Sequence, residues 1–148
     1  MVVDEMVSFE AAKLLKQVGF DVPCRRFYDT ETDDPDMEWT INLWNHGAMQ
    51  RNSNLLNTEY ACCTQQMALR FLREEYHFHI EIRFTNIQIF DNKMVIPKYY
   101  GIIYNLDTGR WIWESTLVRE YIIGFDTFEE AVDFMIKKCI EKFVLKKQ

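Results

Sequence analysis

The stretch EYHFHIEIRF, residues 75–84, changes its period part-way along. Up to Tyr76 the apolar letters keep a helical rhythm. In QQMALRFLREEY, Ala68, Leu72 and Tyr76 recur every four residues, Thr64 stands in the capping position, and Arg70, Arg73 and Glu74 fall on the other side. From Tyr76 onward the period is two: Phe78, Ile80, Ile82 and Phe84 alternate with His77, His79, Glu81 and Arg83. A strand with one dry face is expected to follow the helix directly. A helix with one apolar stripe that hands over to such a strand needs a core shared between helix and sheet, which points to the α+β class.

The flanking sequence extends this pattern. SFEAAKLLKQVGF, residues 8–20, places Phe9, Ala12, Leu15 and Val18 at helical spacing behind a Ser8 cap, with Gly19 as a left-handed stop. CRRFYD and MEWTINLW, rich in aromatic and β-branched residues, read as two antiparallel strands joined by an acidic loop. Residues 45–58 lack periodicity and read as a long connection, with an extended piece expected from Glu59 to Cys62. Beyond the strand at 78–84, the apolar positions of TNIQIF change parity to Ile87 and Ile89. A bulge or turn near Thr85 and Asn86 is therefore expected if both halves serve one core. KYYGIIYNLDTGRWIWEST reads as a hairpin turning between Tyr104 and Arg110, VREYIIGF as a further strand, and Thr127 with Glu130 as a capping box for FEEAVDFMIKKCIEKFV. In that last helix Phe128, Ala131, Val132, Met135, Cys139 and Phe143 are expected on one face. The expected architecture is a two-layer α+β domain spanning residues 1–148, a mostly antiparallel sheet packed against about three helices.

Composition narrows the function classes. At 48% hydrophobic and 27% charged, the chain is neither disordered nor low-complexity, and no apolar run is long enough to span a membrane. The opening MVVDEMVSFEAAK carries acids where a secretory signal needs a basic start, so a cytoplasmic location is expected. Cys24, Cys62, Cys63 and Cys139 lack CxxC spacing and read as reduced, buried thiols. With 17 basic against 23 acidic side chains the net charge is −6, which disfavours nonspecific nucleic-acid binding. Six acids and no base lie in DTETDDPDME, residues 29–38, which reads as a solvated loop.

Three features could carry chemistry. His77, His79 and Glu81 project from the same side of an ideal strand, roughly 6–7 Å between neighbours, and two imidazoles with a carboxylate can hold zinc or iron. Any half-exposed strand places three polar residues this way, and a solvated face explains the same letters. The adjacent Cys62 and Cys63 point to opposite sides of an extended chain and read as packing rather than as a nucleophile. Trp111 and Trp113 are expected on one face opposite Tyr100, Ile102 and Tyr104, mostly as core, with Lys98, Arg110 and Arg119 as the only nearby bases. No Gly-rich phosphate loop, GxSxG, HExxH or paired zinc knuckle occurs, and no cofactor is indicated.

TQQMALRFLREEYHFHIEI and FDTFEEAVDFMIKKCIEK, together with the opening SFEAAKLLKQVGFDVPCRRFYD, resemble a loose group of small proteins without assigned function encoded by gut anaerobes and their phages or mobile elements. Phe71-Leu72-Arg73-Glu74 takes the place of WLRE-like letters in that group, and the acids near Asp33 are individual to this chain. The resemblance brings no catalytic residues; it implies a phage or mobile-element accessory protein. The leading expectation is a non-enzymatic protein that binds another protein. The alternatives are a metal-dependent hydrolase or nuclease using His77, His79 and Glu81, and an acidic nucleic-acid mimic using the 29–38 loop.

Overall fold

The computed structural model describes residues 5–43, 48–89, 94–115 and 124–147. Helix α1 (Phe9–Gln17) leads to β1 (Arg26–Asp29), β2 (Thr40–Leu43) and β3 (Glu59–Cys62). Helix α2 (Gln65–Tyr76) leads to β4 (Phe78–Ile89), β5 (Met94–Asn105), β6 (Arg110–Glu114) and α3 (Phe128–Cys139). A π-helical turn, Ile140–Val144, extends α3. The class is α+β, with antiparallel strands and helices packed on them. The strands divide between two three-stranded sheets, β2-β1-β3 and β4-β5-β6, rather than forming one. Among the described residues no helix is long and apolar enough to cross a membrane.

The helix starts are the expected ones. Ser8 accepts a hydrogen bond from the Ala11 amide, Thr64 from Met67 and Thr127 from Glu130, each satisfying an amide that the helix leaves unpaired. On the first sheet Phe9 of α1 meets the rings of Tyr28, Trp39 and Tyr60 at 5.6, 5.9 and 5.8 Å. Four aromatic rings thus fasten α1 to one sheet face. α1 also packs on α3, α2 packs on α3 and β4, and α3 lies across β4 and β5, so the helices connect the two sheets. Buried residues from all three helices and from β1, β3, β4 and β5 form one hydrophobic cluster.

The handover at residue 77 is tighter than the alternation implied. His77 is the C-terminal cap of α2, in the left-handed region at φ 61°, and β4 begins one residue later. A left-handed residue reverses the chain direction in one step and lets the last helical turn run straight into the strand. Gly101 of β5 serves the packing of α3. A Cβ at that position would stand 2.2 Å from Met135 Cγ, so the bare backbone is what lets α3 approach.

Four sequence expectations change. No bulge interrupts β4 at Thr85 and Asn86: β4 and β5 pair in unbroken register from Phe78↔Asn105 to Ile89↔Met94. Burial falls along the first half of the strand, from Phe78 at 1% exposed to Phe84 at 60%. Phe84 is therefore not one of the dry residues. Phe128, at the first turn of α3, is likewise exposed, while Ile136 and Ile140 join the core. Trp111 and Trp113, finally, do not share a face. A bulge in the β5–β6 register sets Ile103 opposite Trp113 and Tyr104 opposite Trp111, leaving Ile112 between them. The strand expected at VREYIIGF lies outside the described residues apart from Gly124 and Phe125, and Phe125 exchanges two backbone hydrogen bonds with Tyr99.

Candidate functional site on the outer face of the second sheet

Register defines the two faces of the second sheet. Phe78, Ile80, Ile103 and Trp113 face the helices, where Trp113 stacks on Phe134 of α3 at 6.4 Å. The other face carries three rows of partners across the strands: His79, Tyr104 and Trp111; then Glu81, Ile102 and Glu114; then Arg83 and Tyr100. Ile102 in the middle row is buried, whereas Trp111 is 54% exposed and Leu106 and Ile112 beside it are exposed as well.

The polar groups of this face are held in place. Arg83 Nε donates to Glu81 Oε1 at 2.7 Å and an Arg83 terminal nitrogen donates to the Tyr104 hydroxyl at 3.2 Å. The guanidinium lowers the Glu81 carboxyl from its ordinary value, and the neighbouring Glu81 carboxylate raises the Tyr104 hydroxyl. The His79 and Tyr104 rings lie 6.2 Å apart. A positioned guanidinium among Tyr and Trp rings can stack and donate hydrogen bonds, but it holds no nucleophile.

The three residues considered as metal ligands do not converge. His77, being a helix cap and not a strand residue, turns its Nδ1 to Asp107 Oδ1 at 2.8 Å. His79 lies beside Tyr104, and Glu81 is engaged by Arg83. Among the described residues no group of three His, Cys, Asp or Glu side chains is arranged to hold a metal ion. His46, the remaining histidine, lies outside the described residues.

All four cysteines are free and buried. Burial pushes the Cys24 thiol up to about 12 and raises Cys62 and Cys63 as well, the reverse of what a nucleophile needs. The acidic loop is ordered by its own short bonds: Asp29 accepts from the Glu31 amide and Asp34 from the Asp36 amide, each at 2.9 Å, while the Thr32 hydroxyl donates within the loop. These are the bonds of an Asx-turn loop; Asp29 is half-buried and the loop's five other acidic residues are exposed. Near the aromatic face Lys98 is paired with Asp126 and Arg83 with Glu81, leaving Arg110 as the base without an ion pair among the described residues. Arg119 lies outside the described residues.

The sequence pattern placed Tyr104 in an aromatic row with Tyr100 and Ile102 but did not join Arg83 to it. The signal for Arg83 was its shared parity with Glu81 on β4, but the cross-strand partner needed the register. Comparison with models of known protein families, with curated proteins and with solved structures finds no match.

Proposed function

We propose that the protein is non-enzymatic and works by binding another protein through the outer face of β4-β5-β6. The observation that carries this reading is the row His79, Tyr104, Trp111 with Arg83 fixed at its side. Trp, Tyr and Arg are the residue types that dominate binding energy at protein interfaces, and here they are held on a rigid sheet at little entropic cost. Leu106 and Ile112, exposed and next to this row along the chain, add apolar surface near it, and Glu81, Glu114 and Arg110 supply polar groups around it. The net charge of −6 favours a basic partner and opposes a second copy of the same chain. The resemblance to phage and mobile-element proteins suggests an accessory role in the cytoplasm of a host cell, with a host or element-encoded protein as the partner.

A quantitative pull-down from native lysate tests this. The wild-type chain is expected to retain a partner saturably, and Trp111→Ala is expected to weaken retention about tenfold or more, a loss of about 1.4 kcal/mol or more that is typical of a hot-spot truncation. Arg70→Ala, on the exposed side of α2, should leave it unchanged. Equal retention by all three proteins would refute the assignment.

A further inference from the structure

A cavity of about 300 Å3 opens where the ends of β1 and β3 meet the chain ahead of α1 and the segment at Met49 and Gln50. Its frame is backbone. Cys24 and Gln50 exchange hydrogen bonds of 2.8 and 2.9 Å, the Val7 amide donates to the Cys63 carbonyl at 3.0 Å, and the Gln65 amide donates to the Glu5 carbonyl at 2.8 Å. Two bridges thus hold the walls apart at a fixed spacing.

The lining is unusual in composition. Cys24, Cys62 and Cys63, three of the four cysteines in the chain, border the cavity together with Met6, Met49 and Met67. Thioethers and thiols give a polarisable apolar wall that adapts to different shapes. The thiols are not poised for metal or nucleophilic chemistry: all three are buried, and the Cys24 Sγ donates to the Val22 carbonyl at 3.4 Å. Against this apolar wall stand Arg25 and Arg26, exposed side chains with no carboxylate partner among the described residues. In a chain of net charge −6, two neighbouring guanidinium groups with no carboxylate partner among the described residues stand beside an apolar hollow, the pairing of surfaces that an anion with an apolar body needs.

We propose that this cavity binds a small amphipathic monocarboxylate, its apolar part between the methionines and cysteines and its carboxylate on Arg25 and Arg26. The size sets the class, because small-molecule sites run from roughly 300 to 1,000 Å3 and this one stands at the bottom of that range. A short acyl chain or a single-ring acid fits; a nucleotide or a phospholipid does not. The cavity lies at the ends of the first sheet, and this inference is independent of the protein-binding face on the second.

Calorimetric titration of the full chain with octanoate, octan-1-ol and octylammonium tests the assignment. Octanoate is expected to bind saturably at one per chain, and the other two at least about tenfold more weakly, because they lack the charge that Arg25 and Arg26 recognise. The double variant Arg25→Ala/Arg26→Ala, both exposed positions, should retain its thermal melt and lose about tenfold or more in octanoate affinity. A Met67→Trp variant, filling the cavity while leaving the arginines, should also lose octanoate. No saturable heat with octanoate, equal binding of octylammonium, or an unchanged affinity in the folded double variant would overturn the proposal.

Discussion

Replacing Gly101 by alanine tests the approach of α3 to the second sheet at a single carbon. The added Cβ would lie 2.2, 2.5 and 2.8 Å from Cγ, Sδ and Cε of Met135, where unstrained carbon contacts need roughly 3.5–4.0 Å. Met135 is 0% exposed, so its side chain cannot swing into water and must push on the α3 core instead. Overpacking of this kind costs about 1–3 kcal/mol, and a fully buried neighbour places the cost at the upper end. The backbone of Gly101 is not in the left-handed region, so alanine regains about 0.5–1 kcal/mol from the lower entropy of the unfolded chain. A net loss of about 2 kcal/mol follows, which for a chain of this size lowers Tm by about 4–8 °C. Urea and thermal melts of Gly101→Ala, Met135→Ala and the double variant measure it. Met135→Ala alone should cost about 2–5 kcal/mol for its cavity, and the double variant should be less damaged than the sum by at least about 1 kcal/mol. A neutral Gly101→Ala, or strict additivity in the cycle, would refute the packing described for α3.

Three further outcomes are expected. Asn52 is buried and ties two strands of chain together, donating to the Phe20 carbonyl and accepting from the Ala61 amide, both at 2.8 Å; Asn52→Leu leaves both backbone groups unpaired and should cost about 2–4 kcal/mol in urea melts. His77→Gly should leave stability unchanged or raise it by up to about 1 kcal/mol, since glycine relieves the left-handed backbone and the exposed pair with Asp107 contributes little. A metal-dependent loss of stability in that variant would contradict its role as a helix cap. The buried thiols set a pH dependence. The folded Cys24 value is raised to about 12, so above the ordinary thiol range the unfolded chain releases protons that the folded chain keeps, and stability present below about pH 8.5 is lost as pH rises. The slope from Cys24 is about 1.4 kcal/mol per pH unit between its unfolded and folded values. Urea melts from pH 7 to 11 should show a flatter decline for Cys24→Ala, and an identical decline would count against burial of that thiol.

Much of the fold was legible because it is written in local terms. Ser8, Thr64 and Thr127 announce their helices by capping chemistry that acts within three residues, and the change of period after Tyr76 marks the start of β4 to within two residues. The sheet count was not legible. Whether β3 and β4 share a sheet depends on where α2 returns the chain, and no single residue encodes that. The outer face was hidden for a related reason. Trp111, Ile112 and Trp113 are all apolar, so no alternation signals which is skipped, and only the pairing of Tyr104 with Trp111 shows the bulge that turns one tryptophan outward. His77, His79 and Glu81 looked equivalent because parity treats every residue of a strand alike. One left-handed backbone at His77 and one guanidinium at Arg83 separate them.

A photo-reactive amino acid introduced at position 111, with a second version at position 70 on the exposed side of α2, tests the binding face most directly. Irradiation in native lysate is expected to give one discrete adduct from position 111, saturable by excess unlabelled wild-type chain, and none from position 70. No discrete adduct at position 111, or the same adduct from both positions, would contradict a partner-binding role for the outer face of the second sheet.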